Sequence, residues 1–206
     1  SMQAVLLTPK GVVFQADHRV PAPKPDEVLI RVLCAGICET DLQLMQGYMG
    51  FRGILGHEFV GIATTGKFAG QRVVGEINCA CENCTFCQSG LRNHCPNRTV
   101  LGILNHDGAF ADYVSVPAVN LLPVPDNLET EIAVFVEPLA AAFQIPAQIP
   151  LDRDMQVTIL GDGRLGNLCA QVIRLYGCRV RVVGKHPRKL QILEKLGIET
   201  QLLRDV

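Results

Sequence analysis

Five of the nine cysteines in this 206-residue chain lie within one short stretch, a clustering that constrains the fold more than any other feature. Four of them follow the spacing Cys81-x2-Cys84-x2-Cys87-x7-Cys95. Four thiolates in a compact loop are typical of a closed, structural zinc site, and metal binding then contributes folding energy to the loop. The alternative is that these cysteines are free or oxidised. We expect that the nearby Cys79 and His94 are not ligands.

The charge balance and the cysteine count limit the classes of partner and compartment. Nineteen Lys and Arg against 20 Asp and Glu give no electrostatic reason to expect nucleic acid or an anionic membrane as a partner. No apolar run approaches the roughly 20 residues that span a bilayer. An odd number of cysteines without a signal-like opening segment argues for metal binding in a reducing compartment, so we expect a cytoplasmic protein.

A second candidate metal site combines Cys38 with the pair His57-Glu58. Cys38 lies in a turn of small residues that ends an apolar strand, and glycines bracket the apolar run around His57 and Glu58. A thiolate, an imidazole and a carboxylate are the ligand types of a catalytic zinc site, which needs only three protein ligands because one position stays open. Alone, His57-Glu58 is more often an ordinary hydrogen-bonded pair.

The chain divides into two segments of different character. Up to about residue 128, short strands such as 27–33, 60–63, 71–75 and 109–116 alternate with turn signals, which predicts an all-β, barrel-like domain. From Gln156 the pattern is strand, glycine turn, helix, strand, helix, the opening of a parallel α/β domain whose third strand we expect to begin only at Val206. We therefore place the domains at residues 2–150 and 151–206.

The glycine turn Gly161-x-Gly163-x-x-Gly166 follows a predicted strand and opens a predicted helix, the context in which this motif indicates dinucleotide binding. The first glycine permits the tight turn, the second the approach of a diphosphate, and the third close packing of helix on strand. We expect cofactor contacts along this turn, at Gly161, Gly163, Arg164, Leu165 and Gly166. The alternative is a glycine turn without a ligand.

The end of the second α/β strand bears on the choice of cofactor. An acidic residue there would hold the ribose hydroxyls of NAD, but the sequence reads Val183-Gly184-Lys185-His186-Pro187-Arg188. We expect NADP to be preferred over NAD, with Lys185 or Arg188 contacting the 2′-phosphate. The alternative is that these are solvated loop charges.

Together these motifs resemble the zinc-dependent medium-chain dehydrogenases of the alcohol dehydrogenase superfamily, and look closer to the sorbitol and threonine dehydrogenase-like branch than to classical alcohol dehydrogenases. The resemblance runs through the whole chain and includes two further segments, 108–113 and the Glu137-Pro138-Leu139 sequence. It implies an α/β protein with a β-barrel, in which a GroES-like catalytic domain is followed by a Rossmann-type dinucleotide-binding domain. Family chains run considerably further, so we expect only the N-terminal part of the Rossmann domain here.

The resemblance also implies roles for individual residues. Cys38 and His57 would bind the catalytic zinc, with Glu58 or Glu137 as a further ligand. Asp41 would hydrogen-bond the far nitrogen of His57, and Thr40 would begin the proton relay, so that Thr40 and Glu58 are the expected catalytic residues. Family members often carry His where this chain has Gln43, and the segment from residue 61 to 75 is shorter than usual.

The function expected from this resemblance is hydride transfer between NAD(P) and a secondary alcohol, polyol or amino-alcohol. We expect two zinc ions per chain, a small-molecule alcohol substrate, and a homo-oligomer at full length. One alternative is a truncated, non-catalytic zinc-binding product. Another is a thiol redox sensor, which would use the cysteines outside the two sites, Cys34, Cys79, Cys169 and Cys178.

Overall fold

The computed structural model describes all 206 residues and divides into two compact units, Ser1–Glu137 and Pro138–Val206. The strands of the first unit are β1 Met2–Thr8, β2 Gly11–His18, β3 Glu27–Gly36, β4 Gly53–Ile54, β5 Glu58–Ala63, β6 Arg72–Gly75, β7 Asn78–Cys79, β8 Thr99–Val100, β9 Tyr113–Pro117 and β10 Leu121–Pro123. Its short helices are α1 Glu39–Met45, α2 Thr85–Gln88 and α3 Thr130–Ala133.

The first unit is built around β3, the longest strand, which pairs antiparallel with β5 on one side and β9 on the other. The five strands are ordered β10-β6-β5-β3-β9, and a separate sheet is ordered β2-β1-β4. Alternate residues of β3, Val28 and Ile30, point into a core with Val114 and Val116 of β9. The sequence predicts β structure from residue 2 to about 35 but does not delimit β2, because this exposed edge strand has no alternating pattern of burial.

The second unit is a parallel sheet covered by helices. Helix α4, Val136–Gln148, crosses from the first unit into the second and continues through Pro146. The following elements are β11 Gln156–Leu160, α5 Arg164–Leu175, β12 Arg179–Gly184, α6 Pro187–Lys195 and β13 Glu199–Leu202. The order β11-β12-β13 is parallel throughout, and Val182, Ile173 and Leu193 lie in its core.

The second unit corrects one expectation. The third strand does not begin at Val206, because β13 is already complete at Leu202 and pairs with β12 over four residues. Its sequence, Glu199-Thr200-Gln201-Leu202, is too polar to have been recognised as a strand. The predicted domain boundary after residue 150 stays a prediction. No helix of the structure has both the length and the apolar character that crossing a membrane requires.

Candidate functional site

The pairing of β3 with β5 brings Cys38 and His57-Glu58 together. Gly36, the last residue of β3, is the partner of Glu58, the first residue of β5. Cys38 lies two residues beyond β3, so the register delivers its thiol to the same place as the imidazole and the carboxylate. The ligand atoms of the three residues all lie within 4.8 Å of one another. His57 and Glu58 are 3% and 1% exposed, which separates this group from an ordinary surface pair.

The turn that presents His57 depends on close backbone packing around Gly56. Gly56 has a φ of 100°, a conformation that favours glycine. Segment 108–110 lies against this turn through three hydrogen bonds: the amides of Gly108, Ala109 and Phe110 donate to the carbonyls of Ile54, Gly56 and Leu55 at 2.7 to 2.8 Å. A Cβ on Gly108 would lie 2.2 Å from the carbonyl oxygen of Gly56. Gly56 and Gly108 therefore allow segment 108–110 to pack closely on the turn before His57, and this packing fixes the position of the histidine.

Asp41 links the two halves of the site. Its Oδ2 accepts a hydrogen bond from the amide of Cys38 at 2.8 Å, at the start of α1. Its Oδ1 lies 3.4 Å from Nδ1 of His57, and both side chains are buried. Neither Oδ1 nor Nδ1 has an aligned hydrogen-bond partner, so at this distance the contact is mainly electrostatic. Asp41 and His57 are therefore adjacent, and the expected hydrogen bond between them stays a prediction.

The electrostatics of the site suit a cation bound by thiolate and imidazole. Burial lowers the pKa of His57, but contacts with Asp41 and Cys38 and the charge of Glu137 outweigh it and raise this pKa to about 10. The hydrogen bond from His57 lowers the pKa of the Cys38 thiol, as do contacts with Thr40, against the opposing effect of burial. The site thus stabilises a thiolate facing positive charge. Zinc, which takes sulfur, nitrogen and oxygen ligands, fits this set of donors.

Thr40 and Glu137 lie near the three central residues. Thr40 is in the first turn of α1, and both its backbone and its side chain contribute to lowering the pKa of the Cys38 thiol. Glu137 is in the first turn of α4, close enough for its charge to act on His57. Its carboxylate is outside the group of three whose ligand atoms lie within 4.8 Å, whereas Glu58 is inside it.

The four clustered cysteines form a second group. Sulfur–sulfur distances are 3.5 Å for Cys84–Cys87 and Cys81–Cys95 and 3.8 Å for Cys84–Cys95. Zinc–sulfur bonds of 2.3 Å in a tetrahedron place the sulfurs about 3.8 Å apart, so the arrangement fits a zinc ion. A backbone hydrogen bond from Asn83 lowers the pKa of Cys81 to about 6, whereas desolvation and neighbouring sulfurs raise that of Cys87 to about 12. Cys79 and His94 lie outside this group.

A polar network attaches the cysteine lobe, residues 81–95, to the sheet. Arg92 donates to Glu82 at 2.8 Å and to the side-chain oxygen of Asn120 at 3.0 Å. Asn120 is 3% exposed, and its amide nitrogen donates to the backbone carbonyls of Glu76 and Asn78. Asn120 could not be predicted from the sequence, because a single asparagine between strands resembles any turn residue.

The glycine turn has the backbone geometry expected of each glycine. Gly161 has a φ of 126°, and a Cβ on Gly166 would lie 2.3 Å from the Gly161 carbonyl oxygen. A Cβ on Gly163 would have no atom within 4 Å, so space is open beside the start of α5. Arg164 is half-buried and Leu165 is exposed in the first turn of α5. The turn brings the five predicted cofactor residues to one helix N-terminus.

The two cations predicted to contact the cofactor phosphate, Lys185 and Arg188, lie in different surroundings at the end of β12. Lys185 lines a cavity of about 360 Å³ between the carboxyl ends of β12 and β13, while Arg188 is exposed on the first turn of α6 and does not line it. Asp162, inside the glycine turn, reaches His186 with its carboxylate and was not among the predicted site residues. The one sequence signal for this contact is the presence of an acidic residue between Gly161 and Gly163.

Comparison with known proteins shows which family the chain belongs to. Residues 24–126, half of the chain, match the family described as "Alcohol dehydrogenase GroES-like domain". The chain belongs to the alcohol dehydrogenase superfamily. An L-threonine 3-dehydrogenase of Stenotrophomonas maltophilia is 34% identical over 216 residues, covering 96% of this chain and 63% of that protein. One from Xanthomonas campestris is 37% identical over 194 residues, covering 86% of this chain and 56% of that protein.

Solved structures of dehydrogenases resemble this superfamily member along nearly its whole length. A zinc-binding dehydrogenase of Sinorhizobium meliloti bound to NADP has a TM-score of 0.84 at 33% identity, covering 98% of this chain and 61% of that one. An alcohol dehydrogenase of Escherichia coli complexed with NADH has a TM-score of 0.89 at 27% identity and the same 98% coverage of this chain, with 62% of its own. The chain thus spans about three-fifths of the length of the proteins it matches.

Proposed function

We propose that this protein is a zinc-dependent oxidoreductase that transfers hydride between a secondary alcohol, polyol or amino-alcohol and NAD(P). The observation that carries the proposal is the group formed by half-buried Cys38 with buried His57 and Glu58, whose ligand atoms lie within 4.8 Å of one another. Two relatives named L-threonine 3-dehydrogenase support an amino-alcohol as one candidate substrate.

In the proposed architecture, the first unit is a GroES-like catalytic domain with a β-barrel, and the second is the beginning of a Rossmann-type cofactor domain. The parallel order β11-β12-β13 and the glycine turn before α5 support the second assignment. The domain boundary is proposed after residue 150. We also propose a cytoplasmic homo-oligomer at full length, which sedimentation analysis tests.

Cys38 and His57 would hold the catalytic metal, with Glu58 as the further ligand in preference to Glu137, because Glu58 lies within the compact group. Bound zinc supplies Lewis acidity that lowers the pKa of the substrate hydroxyl. Asp41, fixed by the Cys38 amide, orients the imidazole and favours the tautomer with its proton on Nδ1. A second zinc would be held by Cys81, Cys84, Cys87 and Cys95 in a purely structural role.

The hydroxyl of Thr40, beside Cys38, would receive the substrate proton as the first step of a relay. Gln43, on the same helix, is an amide and cannot carry a proton onward as a base. The glycine turn and the amides that open α5 would hold the diphosphate of the cofactor. Lys185 or Arg188 would contact the 2′-phosphate, so that NADP is preferred to NAD.

Cofactor reduction with a panel of secondary alcohols, polyols and amino-alcohols tests the proposal, with zinc content measured on the same sample. The chain and a version extended to the length of its relatives should be compared. The proposal is supported if either version turns over a substrate and the His57→Ala variant of that version does not. Absence of turnover by both, with two zinc ions retained, would favour the alternative of a non-catalytic zinc-binding product.

A further inference from the structure

Asp162 is a buried carboxylate whose acceptor capacity is directed at one neighbouring residue. It is 8% exposed, and its Oδ2 accepts the backbone amide of His186 at 2.6 Å. Its Oδ1 lies 2.9 Å from Nδ1 of the His186 ring. Each oxygen therefore already contacts a group of His186. Asp162 also lies in the glycine turn and not at the end of β12, where NAD-binding folds place the acid that accepts the ribose hydroxyls.

The residue opposite Asp162 matches this arrangement. A Cβ on Gly184 would lie 2.4 Å from both Cβ and Oδ2 of Asp162, so only glycine leaves room for the carboxylate at the end of β12. His186 in turn is the N-terminal cap residue of α6, and its carbonyl accepts the amides of Lys189 and Leu190. Asp162 thus connects the glycine turn before α5 to the backbone that begins α6.

The segment fixed by this contact lines the cavity at the ends of β12 and β13. Lys185, between Gly184 and His186, is exposed and lines this cavity, and Arg204 is a second cationic residue of its lining. The hydrogen bonds from both His186 groups outweigh burial and lower the pKa of Asp162, which keeps it anionic. The carboxylate of Asp162 contacts His186, and Arg204 lies 3.8 Å from the carboxylate of Asp205, so Lys185 is the cation of this cavity that is open to a ligand.

We propose that Asp162 is a positioning residue for cofactor selection: by holding His186 it fixes the backbone of 184–187, so that Lys185 faces the phosphate of a 2′-phosphorylated adenine nucleotide. This inference rests on the proposed nucleotide-dependent function. It explains why an acidic residue in the glycine turn is compatible with a phosphate site. Without Asp162, the segment loses two hydrogen bonds and Lys185 loses its fixed position.

The test measures nucleotide binding alone, by calorimetric titration of the full chain with adenosine 2′,5′-bisphosphate and with 5′-AMP. The wild type should bind the bisphosphate more tightly. Asp162→Ala should reduce the ratio of the two affinities about tenfold, mainly by weakening the bisphosphate. His186→Ala, which keeps the backbone hydrogen bond, should reduce the ratio less. Asp154→Asn removes an exposed carboxylate of the same unit and should change neither affinity.

Three results would overturn the inference. The first is no bisphosphate preference in the wild type. The second is a ratio that rises in Asp162→Ala with loss of 5′-AMP binding, which would make Asp162 a ribose acceptor. The third is an equal loss of both affinities in Asp162→Ala, which would indicate a merely structural role. If Asp162→Ala does not fold, His186→Ala decides alone: an unchanged ratio contradicts the inference. Because no substrate or zinc is involved, alcohol oxidation can stand or fail independently of these outcomes.

Discussion

Substituting alanine for Gly108 should destabilise the first unit and loosen the Cys38–His57–Glu58 site at the same time. The new Cβ would lie 2.2 Å from the carbonyl oxygen of Gly56 and 2.5 Å from that of Leu55, both backbone atoms that cannot rotate away. Overpacking of this kind costs about 1–3 kcal/mol. Displacing segment 108–110 also weakens three backbone hydrogen bonds of about 1 kcal/mol each.

The free energy of unfolding should therefore fall by about 2–5 kcal/mol, measured by urea titration, against a total of about 5–15 kcal/mol for a typical protein. Because the same hydrogen bonds hold the turn before His57, zinc affinity at this site should fall about 10- to 100-fold in chelator competition. The matched control is Gly163→Ala, where φ is −73° and no atom lies within 4 Å of the new Cβ. Wild-type stability and zinc affinity in Gly108→Ala would refute the reasoning.

Three further predictions follow from other parts of the structure. Asn120→Ala should lower the free energy of unfolding by about 2–3 kcal/mol in urea titration, because two backbone carbonyls and Arg92 lose a buried partner, whereas the exposed Asn93→Ala should not. Thr40→Val should reduce turnover about 10²- to 10⁴-fold with zinc content unchanged, and Thr40→Ser should restore most of it; equal turnover in both would remove Thr40 from the relay. In chelator-treated protein, the pKa of His57 is about 10, above its unfolded value, so its stabilising contribution is complete below about pH 6.5 and lost as the pH rises through 10. Asp41→Asn should flatten this loss in denaturant titrations across that range, and an unchanged profile would contradict the pairing.

Local motifs allowed much of the arrangement to be predicted from the sequence. The spacing of Cys81, Cys84, Cys87 and Cys95 predicted a compact group, because ligands so close in sequence cannot lie far apart. The strand, glycine turn and helix around Gly161 were predicted for the same reason, since each glycine has a local backbone function. The assignment of zinc and cofactor roles to these residues stays a prediction.

Features that depend on distant partners could not be read from the sequence. The register of β3 and β5, which pairs Gly36 with Glu58, positions Cys38 beside His57. This register cannot be predicted from the sequence of either strand alone. The polar strand β13 forms because β12 offers it a free edge, and its own composition gives no strand signal. The contact of Asp162 with His186 joins residues 24 positions apart. The glycine motif around Asp162 predicts the turn but not this contact.

We propose that the protein has two separate metal sites, one that stabilises the cysteine lobe and one that performs the chemistry. The decisive measurement is zinc content per chain, determined by inductively coupled plasma mass spectrometry on wild type, Cys38→Ser and Cys84→Ser. We expect two zinc ions in the wild type and one in each variant, with only Cys84→Ser losing substantial thermal stability. A single zinc in the wild type, or two retained in Cys38→Ser, would contradict it.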